Sequence, residues 1–276
     1  MEENLIQALE RQMKRIASRI QQEPNGTQSN SKKCWFTTRD EAVAYQCDDP
    51  ENCQENGWKT WGTGSDSGAI PCEVFTTWEK NKRLQRKLDA VLPPKFRSLG
   101  FSNFNADRSK MTKQAYNIAQ KYYSKKAYMS GANLLFLGSY GTGKTHLAVA
   151  LLHNALRQGH TAGFVTASTM NRGGFEEIEQ RFDAMKDADL VVIDDLANEM
   201  SNKLIANHMF SLINYRYQAE KGIIITSNLS VEGLQEAVGE RILDRITERS
   251  AVIYISDVES YREEKRSEYL EWMEGE

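Results

Sequence analysis

Leu134-Leu135-Phe136-Leu137 is an apolar run that leads into Gly138-Ser139-Tyr140-Gly141-Thr142-Gly143-Lys144-Thr145, after which His146 opens a stretch that is apolar-periodic from Leu147 to Leu156. A strand feeding a G-x-x-x-x-G-K-T loop and then a helix narrows the fold to α/β nucleotide-binding architectures. Glycines at 138, 141 and 143 let the loop curl with its N–H groups inward around a β-phosphate, and the helix presents its positive end to the same anion. In that arrangement Lys144 neutralises the β- and γ-phosphates and the Thr145 hydroxyl holds Mg²⁺. Gly138 through His146 is the expected cofactor-binding set. A Gly-rich turn can be plain punctuation between strand and helix, but the Lys-Thr ending in this context argues against it.

Downstream the pattern alternates. Strands are predicted at 133–137, 162–166, 189–193, 222–227 and 251–255, separated by helices at about 144–157, 174–186, 202–219 and 231–247. Strands separated by helices of that length imply a parallel sheet covered on both faces. Leu190-Val191-Val192-Ile193-Asp194-Asp195 reads as a buried central strand that delivers carboxylates to the edge where ligands bind. Asp194 suits Mg²⁺, directly or through water, and Asp195 suits a general base for the attacking water. Read alone, the pair could be a helix cap; beside the phosphate loop the metal reading prevails. Gly222-Ile223-Ile224-Ile225-Thr226-Ser227-Asn228 ends another buried strand, and the Asn228 amide there could bond the lytic water or the γ-phosphate. Arg241 and Arg245 lie four residues apart on one helical face. They could reach the nucleotide of a neighbouring subunit or pair with Glu240, Asp244 or Glu248, and spacing does not choose.

The N-terminal third is of another kind. Leu5, Ile6, Leu9, Met13, Ile16 and Ile20 form one stripe of a helix over 2–20, and the polar 21–33 reads as a linker. Residues 34–75 are poor in aliphatics, rich in Gly, Asp, Asn and Trp, and contain all four cysteines, Cys34, Cys47, Cys53 and Cys72. So small a unit needs a staple, and in a reducing compartment clustered cysteines point to metal more than to disulfides. Zinc on the four thiols and unligated thiols both stay open, because the cysteines contain no C-x-x-C pair and have no histidine near them. From Glu79 to Lys126 there are thirteen Lys or Arg against three Asp or Glu, whereas Asp257 to Glu276 holds eight acids and three bases. The basic run fits either a nucleic-acid face or solvated helix surfaces. No apolar run approaches the ~20 residues of a membrane span, and Met-Glu-Glu is not the start of a signal peptide. A soluble, cytoplasmic protein without membrane partners is expected.

Taken in order, GSYGTGKTHLA, LVVIDDL, ITSN, GERILDRI and Ile255-Ser256-Asp257-Val258-Glu259-Ser260-Tyr261-Arg262 resemble the DnaC/DnaI-type helicase loaders and the related IstB transposition ATPases of the AAA+ class. The resemblance covers roughly 90–265. Upstream, Cys72, a basic helix at Thr77–Leu92 and PPKFRSLGFSNF resemble the joint between zinc module and ATPase in phage and DnaI-like loaders. It implies an AAA+ P-loop three-layer core on a parallel sheet, without a separate C-terminal lid, behind an N-terminal helix and cysteine module. The domains are then 1–75 for helicase interaction, 76–110 as basic linker helix and entry segment, and 111–276 as the ATPase. Lys144 and Thr145 would be Walker A, Asp194 and Asp195 Walker B, Asn228 sensor I, Arg245 the arginine finger and Arg241 a second trans-acting arginine.

The implied function is delivery of the replicative hexameric helicase onto single-stranded DNA, with ATP and Mg²⁺ as cofactors, zinc in the cysteine module and self-association through the ATPase. The chain departs from the family pattern in three places. Asp195 stands where most AAA+ enzymes have Glu, which implies slow turnover. Only Met170-Asn171-Arg172-Gly173-Gly174 precedes the next helix, in the region that loaders use for single-stranded DNA. The cysteines lack the usual close pair. The rivals are a transposition helper that binds duplex DNA and a transposase, and a non-hydrolysing adaptor that nucleotide merely switches.

Overall fold

The computed structural model describes residues 34–53, 57–166, 174–196 and 203–274. The expected helix at 2–20, its linker, and most of the stretch 167–174 lie outside them. The chain divides into two compact units, Met1–Arg83 and Leu84–Glu276.

In the first unit, β1 (Trp35–Phe36) pairs in parallel with β2 (Trp58–Trp61), and β2 pairs antiparallel with β3 (Gly68–Pro71). Thr38 caps α1 (Arg39–Ala44) by accepting from the Glu41 N–H. Its core is thin: Cys34, Phe36 and Ala42 are buried, with Tyr45, Cys53, Trp61 and Ile70 partly buried around them. A long helix, α2 (Glu73–Val91), runs across the division between the units.

The second unit contains a five-stranded parallel sheet in the order β5-β6-β7-β4-β8, from β4 (Asn133–Leu137), β5 (Ala162–Thr166), β6 (Leu190–Asp194), β7 (Ile223–Ser227) and β8 (Ser250–Tyr254). The uninterrupted apolar runs have a simple cause. Alternate residues face opposite sides of the sheet, and both sides are dry. Leu135, Leu137, Val191, Ile193, Ile223 and Ile225 pack under α5 (Phe175–Asp187), α6 (Lys203–Gln218), α7 (Val231–Val238) and α8 (Glu240–Thr247). Leu134, Phe136, Leu190, Val192, Ile224 and Ile253 pack under α3 (Lys110–Ser124) and α4 (Lys144–Arg157) on the other side. This is the expected three-layer α/β core. A single helix, α9 (Tyr261–Glu274), follows β8 among the described residues.

Two elements differ from the sequence reading. The helix expected over 231–247 is two helices, because Gly239 takes φ +81 between them and ends the first. The basic helix expected at Thr77–Leu92 begins four residues earlier, at Glu73, and ends at Val91. Arg216, in the middle of a polar stretch of sequence, is fully buried. Its guanidinium donates to the carbonyls of Met185, Lys186, Ala188, Asp189 and Gly222 at 2.7–3.3 Å, which closes the C-terminal end of α5.

Candidate nucleotide site

The phosphate loop leaves β4 at Gly138, whose φ is +135. A Cβ built there would lie 2.0 Å from the Ile255 carbonyl oxygen, so the residue after β8 sits directly against the loop. Gly141 has φ +75, and a Cβ would meet Ser260 Oγ at 2.1 Å; its carbonyl accepts from the Tyr261 N–H at 3.0 Å. Gly143, at φ +97, is approached by the Phe104 ring. Each glycine is required by conformation and by space. Gly138→Ala is expected to destabilise the fold by at least about 3 kcal/mol and to abolish nucleotide binding, since a backbone carbonyl cannot move aside as a flexible side chain can. A urea titration beside a fluorescent-nucleotide titration checks both effects.

Lys144 is 9% exposed. Its ammonium donates to the carbonyls of Gly138 at 2.8 Å and Ser139 at 2.6 Å. Burial lowers its pKa, the nearby Asp195 and Asp194 oppose that, and Arg262 adds to it. Thr145 Oγ1 donates to Asp194 Oδ1 at 2.7 Å, and Thr226 Oγ1 donates to the same oxygen at 2.7 Å. The Thr226 hydroxyl also accepts from the Asp195 N–H at 2.9 Å. Thus Thr226 at the end of β7 holds the Asp194 carboxylate and the Asp195 backbone in place, and Asp195 takes φ +60 directly after β6. Burial pushes the Asp194 pKa up, against the lowering effect of its two hydroxyl donors. The Thr145 hydroxyl and the Asp194 carboxylate are hard oxygen donors held side by side, the type that Mg²⁺ takes alongside water and phosphate. Asn228 lies beside them with its Oδ1 buried and without a hydrogen-bond partner, a polar atom aimed at a polar ligand.

These groups open into one cleft of about 500 Å³. One wall comes from the entry segment, with Phe96, Leu99, Phe104 and Arg108; the other comes from α9, with Tyr261, Arg262 and Lys265. His146 Nε2 lies 2.9 Å from the Gly100 carbonyl, which can only accept, so that nitrogen carries the proton. Burial lowers the His146 pKa, which keeps the ring neutral. Arg108 donates to Glu264 at 2.8 Å and to the Glu259 carbonyl at 3.1 Å. Tyr140 stands at the mouth, 59% exposed.

Sequence reasoning found Lys144, Thr145, Asp194, Asp195 and Asn228, and the structure brings them together. It missed Thr226, although the small polar ending of β7 was the signal. Arg108 and Lys265 also went unread, and Arg262 was quoted only as part of a motif. Arg241 and Arg245 are not in this cleft. Arg241 is exposed on α8. Arg245 hydrogen-bonds Asn214 and lies 5.5 Å over the Tyr217 ring, beside a cavity of about 210 Å³ at the starts of β4 and β7. Its partner there is an amide, where the sequence had offered Glu240, Asp244 or Glu248; Glu248 receives the Tyr217 hydroxyl at 2.5 Å.

The four cysteines are free thiols, Cys34 and Cys72 buried and the other two half-buried. Burial, then Cys53 and Cys47, push the Cys34 thiol up to about 12, so the cysteines converge on one region. Yet among the described residues no group of three or more His, Cys, Asp or Glu side chains is arranged to hold a metal ion.

Residues 73–269 match the family model described as IstB-like ATP binding protein. The chain belongs to the IstB-like family. It is therefore an ATP-binding AAA+ protein of the group that contains helicase loaders and IstB-type ATPases. The phage-like element PBSX protein XkdC of Bacillus subtilis is 30% identical over 174 residues, which are 57% of this chain and 65% of that protein, so the chain spans just under two thirds of this relative's length. The replicative helicase loader DnaC of Escherichia coli is 24% identical over 208 residues, 71% of this chain and 83% of the loader. A crystal structure of the DnaC helicase loader superposes with a TM-score of 0.52 at 23% identity, covering 59% of this chain and 99% of that one. That superposition shows the shared AAA+ fold. No helix among the described residues is long and apolar enough to cross a membrane.

Proposed function

We propose that this chain is an ATP-dependent loader that binds the replicative DNA helicase and delivers it onto single-stranded DNA. The observation that carries this reading is the Thr145–Asp194–Thr226 cluster at the end of a phosphate loop, in a family with relatives named replicative helicase loaders. ATP and Mg²⁺ would sit in the 500 Å³ cleft, with Lys144 turned from its loop carbonyls to the β- and γ-phosphates and Mg²⁺ held by Thr145 and Asp194. Asp195 would take the proton of the attacking water, and Asn228, whose buried oxygen lacks a partner, would orient that water or the γ-phosphate. Because Arg241 and Arg245 face away from their own cleft, they suit the nucleotide of a neighbouring copy. The shorter reach of Asp195 suits slow turnover and a switch-like cycle.

In the first unit, Cys34, Cys47, Cys53 and Cys72 are the residues that would hold Zn²⁺, although as placed they form no ready metal group. Soft thiolate donors suit that ion, and a thiol held as high as that of Cys34 must release its proton on binding. The region 1–75, which makes up most of this unit, would grip the helicase, while 76–110 leads into the ATPase of 111–276. The cysteine unit ahead of the ATPase favours the loader over the transposition helper.

The test is light scattering after size exclusion of the intact protein mixed with the host's hexameric helicase, with and without ATP, beside single-stranded and duplex DNA binding. A complex with the helicase and preference for single strands are expected. Duplex preference without a helicase complex would replace this reading with the transposition helper. Absence of any turnover stimulated by single-stranded DNA would replace it with the adaptor.

A further inference from the structure

The three-stranded sheet of the first unit has two unlike faces. Trp35 pairs with Thr60, Thr60 with Ala69, and Trp58 with Pro71. Because successive side chains alternate, Trp35, Trp58, Thr60, Ala69 and Pro71 share one face. Phe36, Lys59, Trp61 and Ile70 share the other, which meets α1 and forms the core of the unit. There Lys59 is 4% exposed and donates to the Tyr45 carbonyl at 3.0 Å. On the first face Trp35 is 53% exposed and Trp58 49% exposed, and Ala69 and Pro71 are exposed too. A unit with so small a core thus keeps two indoles at its surface, where such side chains are the strongest anchors of interfaces.

Charge decides what covers them. Among the described residues of this unit, 34–53 and 57–83, there are eight acids, Asp40, Glu41, Asp48, Asp49, Glu51, Asp66, Glu73 and Glu79, against Arg39, Lys80, Lys82, Arg83 and the buried Lys59. Aromatic platforms for nucleic-acid bases work inside a positive groove that tracks the phosphates. In this unit acids outnumber exposed bases eight to four, which disfavours phosphates. An apolar protein surface rimmed by Lys or Arg satisfies both the indoles and the charge.

We propose that the Trp35/Trp58 face is a docking surface for a protein partner with an apolar patch and a basic rim. Resting on the loader reading, that partner is the replicative helicase. The indoles supply the anchor and the net negative charge of the unit steers the encounter.

The experiment titrates the intact chain against the host's hexameric helicase at several salt concentrations. The variants are Trp35→Ser/Trp58→Ser and, separately, Ala69→Arg, which leaves both indoles in place and adds a cation to the same face. Circular dichroism compares each with the wild type first, and Ala69→Arg carries the test if the double variant does not fold. The double variant is expected to lose at least about 30-fold in affinity, Ala69→Arg at least about 10-fold, and wild-type affinity should fall as salt rises. Wild-type affinity in both variants overturns the surface assignment and leaves the loader reading standing. A wild type that does not bind the helicase overturns both. Loss of affinity for a single-stranded oligonucleotide with helicase binding intact overturns the proposal in favour of a base-stacking platform, and a changed self-association alone overturns it in favour of contact between copies.

Discussion

Asp194→Asn is expected to lower ATP turnover by about 10²-fold or more and, at the same time, to make the nucleotide-free protein more stable. The first effect follows from losing the charge that would hold Mg²⁺ beside Thr145, since metal stabilisation of a phosphoryl transition state amounts to several kcal/mol, with tenfold in rate for each ~1.4 kcal/mol. Asparagine keeps an oxygen able to accept from both Thr145 and Thr226, so the local frame survives. The second effect follows from linkage. Burial raises the folded-state pKa of Asp194 above its ordinary 3.8, so between those two values the folded state holds more protons than the unfolded one. Stability from this group is therefore complete below the ordinary value and lost as pH rises through the folded one. At neutral pH an ionised, buried Asp194 strains the fold, and the amide removes that strain. Phosphate release checks the rate. Melting of the nucleotide-free proteins across acid and neutral pH checks the rest: the wild type should lose stability with rising pH over a window in which the variant does not. A variant that melts no higher than the wild type at neutral pH would mean that the two threonines fully satisfy the charge.

Arg216→Met should be the most damaging change outside the nucleotide site, with a loss of about 3–5 kcal/mol. Replacing a buried charge by an apolar side chain is often harmless when its partner is replaced as well. Here the partners are five main-chain carbonyls, which stay behind without the guanidinium's donors. Burial draws the Arg216 pKa down to about 10, so the guanidinium is charged at neutral pH and faces the negative end of α5. Arg216→Lys is expected to recover only part of the loss, because an ammonium has three donors and no planar fork. Urea titrations of the three proteins measure the differences. A loss below about 1 kcal/mol for Met would show that water enters and bonds the carbonyls.

The contrast between these two residues marks what the sequence could reveal. Asp194 was legible because its role is written locally: an apolar run says buried strand, and an acid at its end says sheet edge. All five strands were placed for the same reason. Arg216 lies in Tyr-Arg-Tyr-Gln-Ala-Glu-Lys, which reads as the wet end of a helix. Its carbonyl partners lie about thirty residues upstream, apart from Gly222, and no local pattern connects them. Thr226 was overlooked because the sequence names a strand's last residues without saying which carboxylate they meet. Arg108 and Lys265 enter the cleft from segments on either side of the core, and only the folded chain unites them. Gly239 was visible as a glycine, but a helical pattern on both sides hid the break.

The fit of Gly138 against Ile255, and the bond from the Tyr261 N–H to the Gly141 carbonyl, have a consequence for the order in which the protein is made. The phosphate loop is read off the message more than a hundred residues before the segment that holds its outer side. A ribosome that has completed β4 and α4 has produced the whole motif but not a site, because the loop still lacks the strand and turn it rests on. Capture of ATP is thereby deferred until synthesis has passed Tyr261, when the rest of the sheet is already available to fold with it. Truncation within β8 is therefore expected to silence nucleotide binding by a motif that remains intact in sequence.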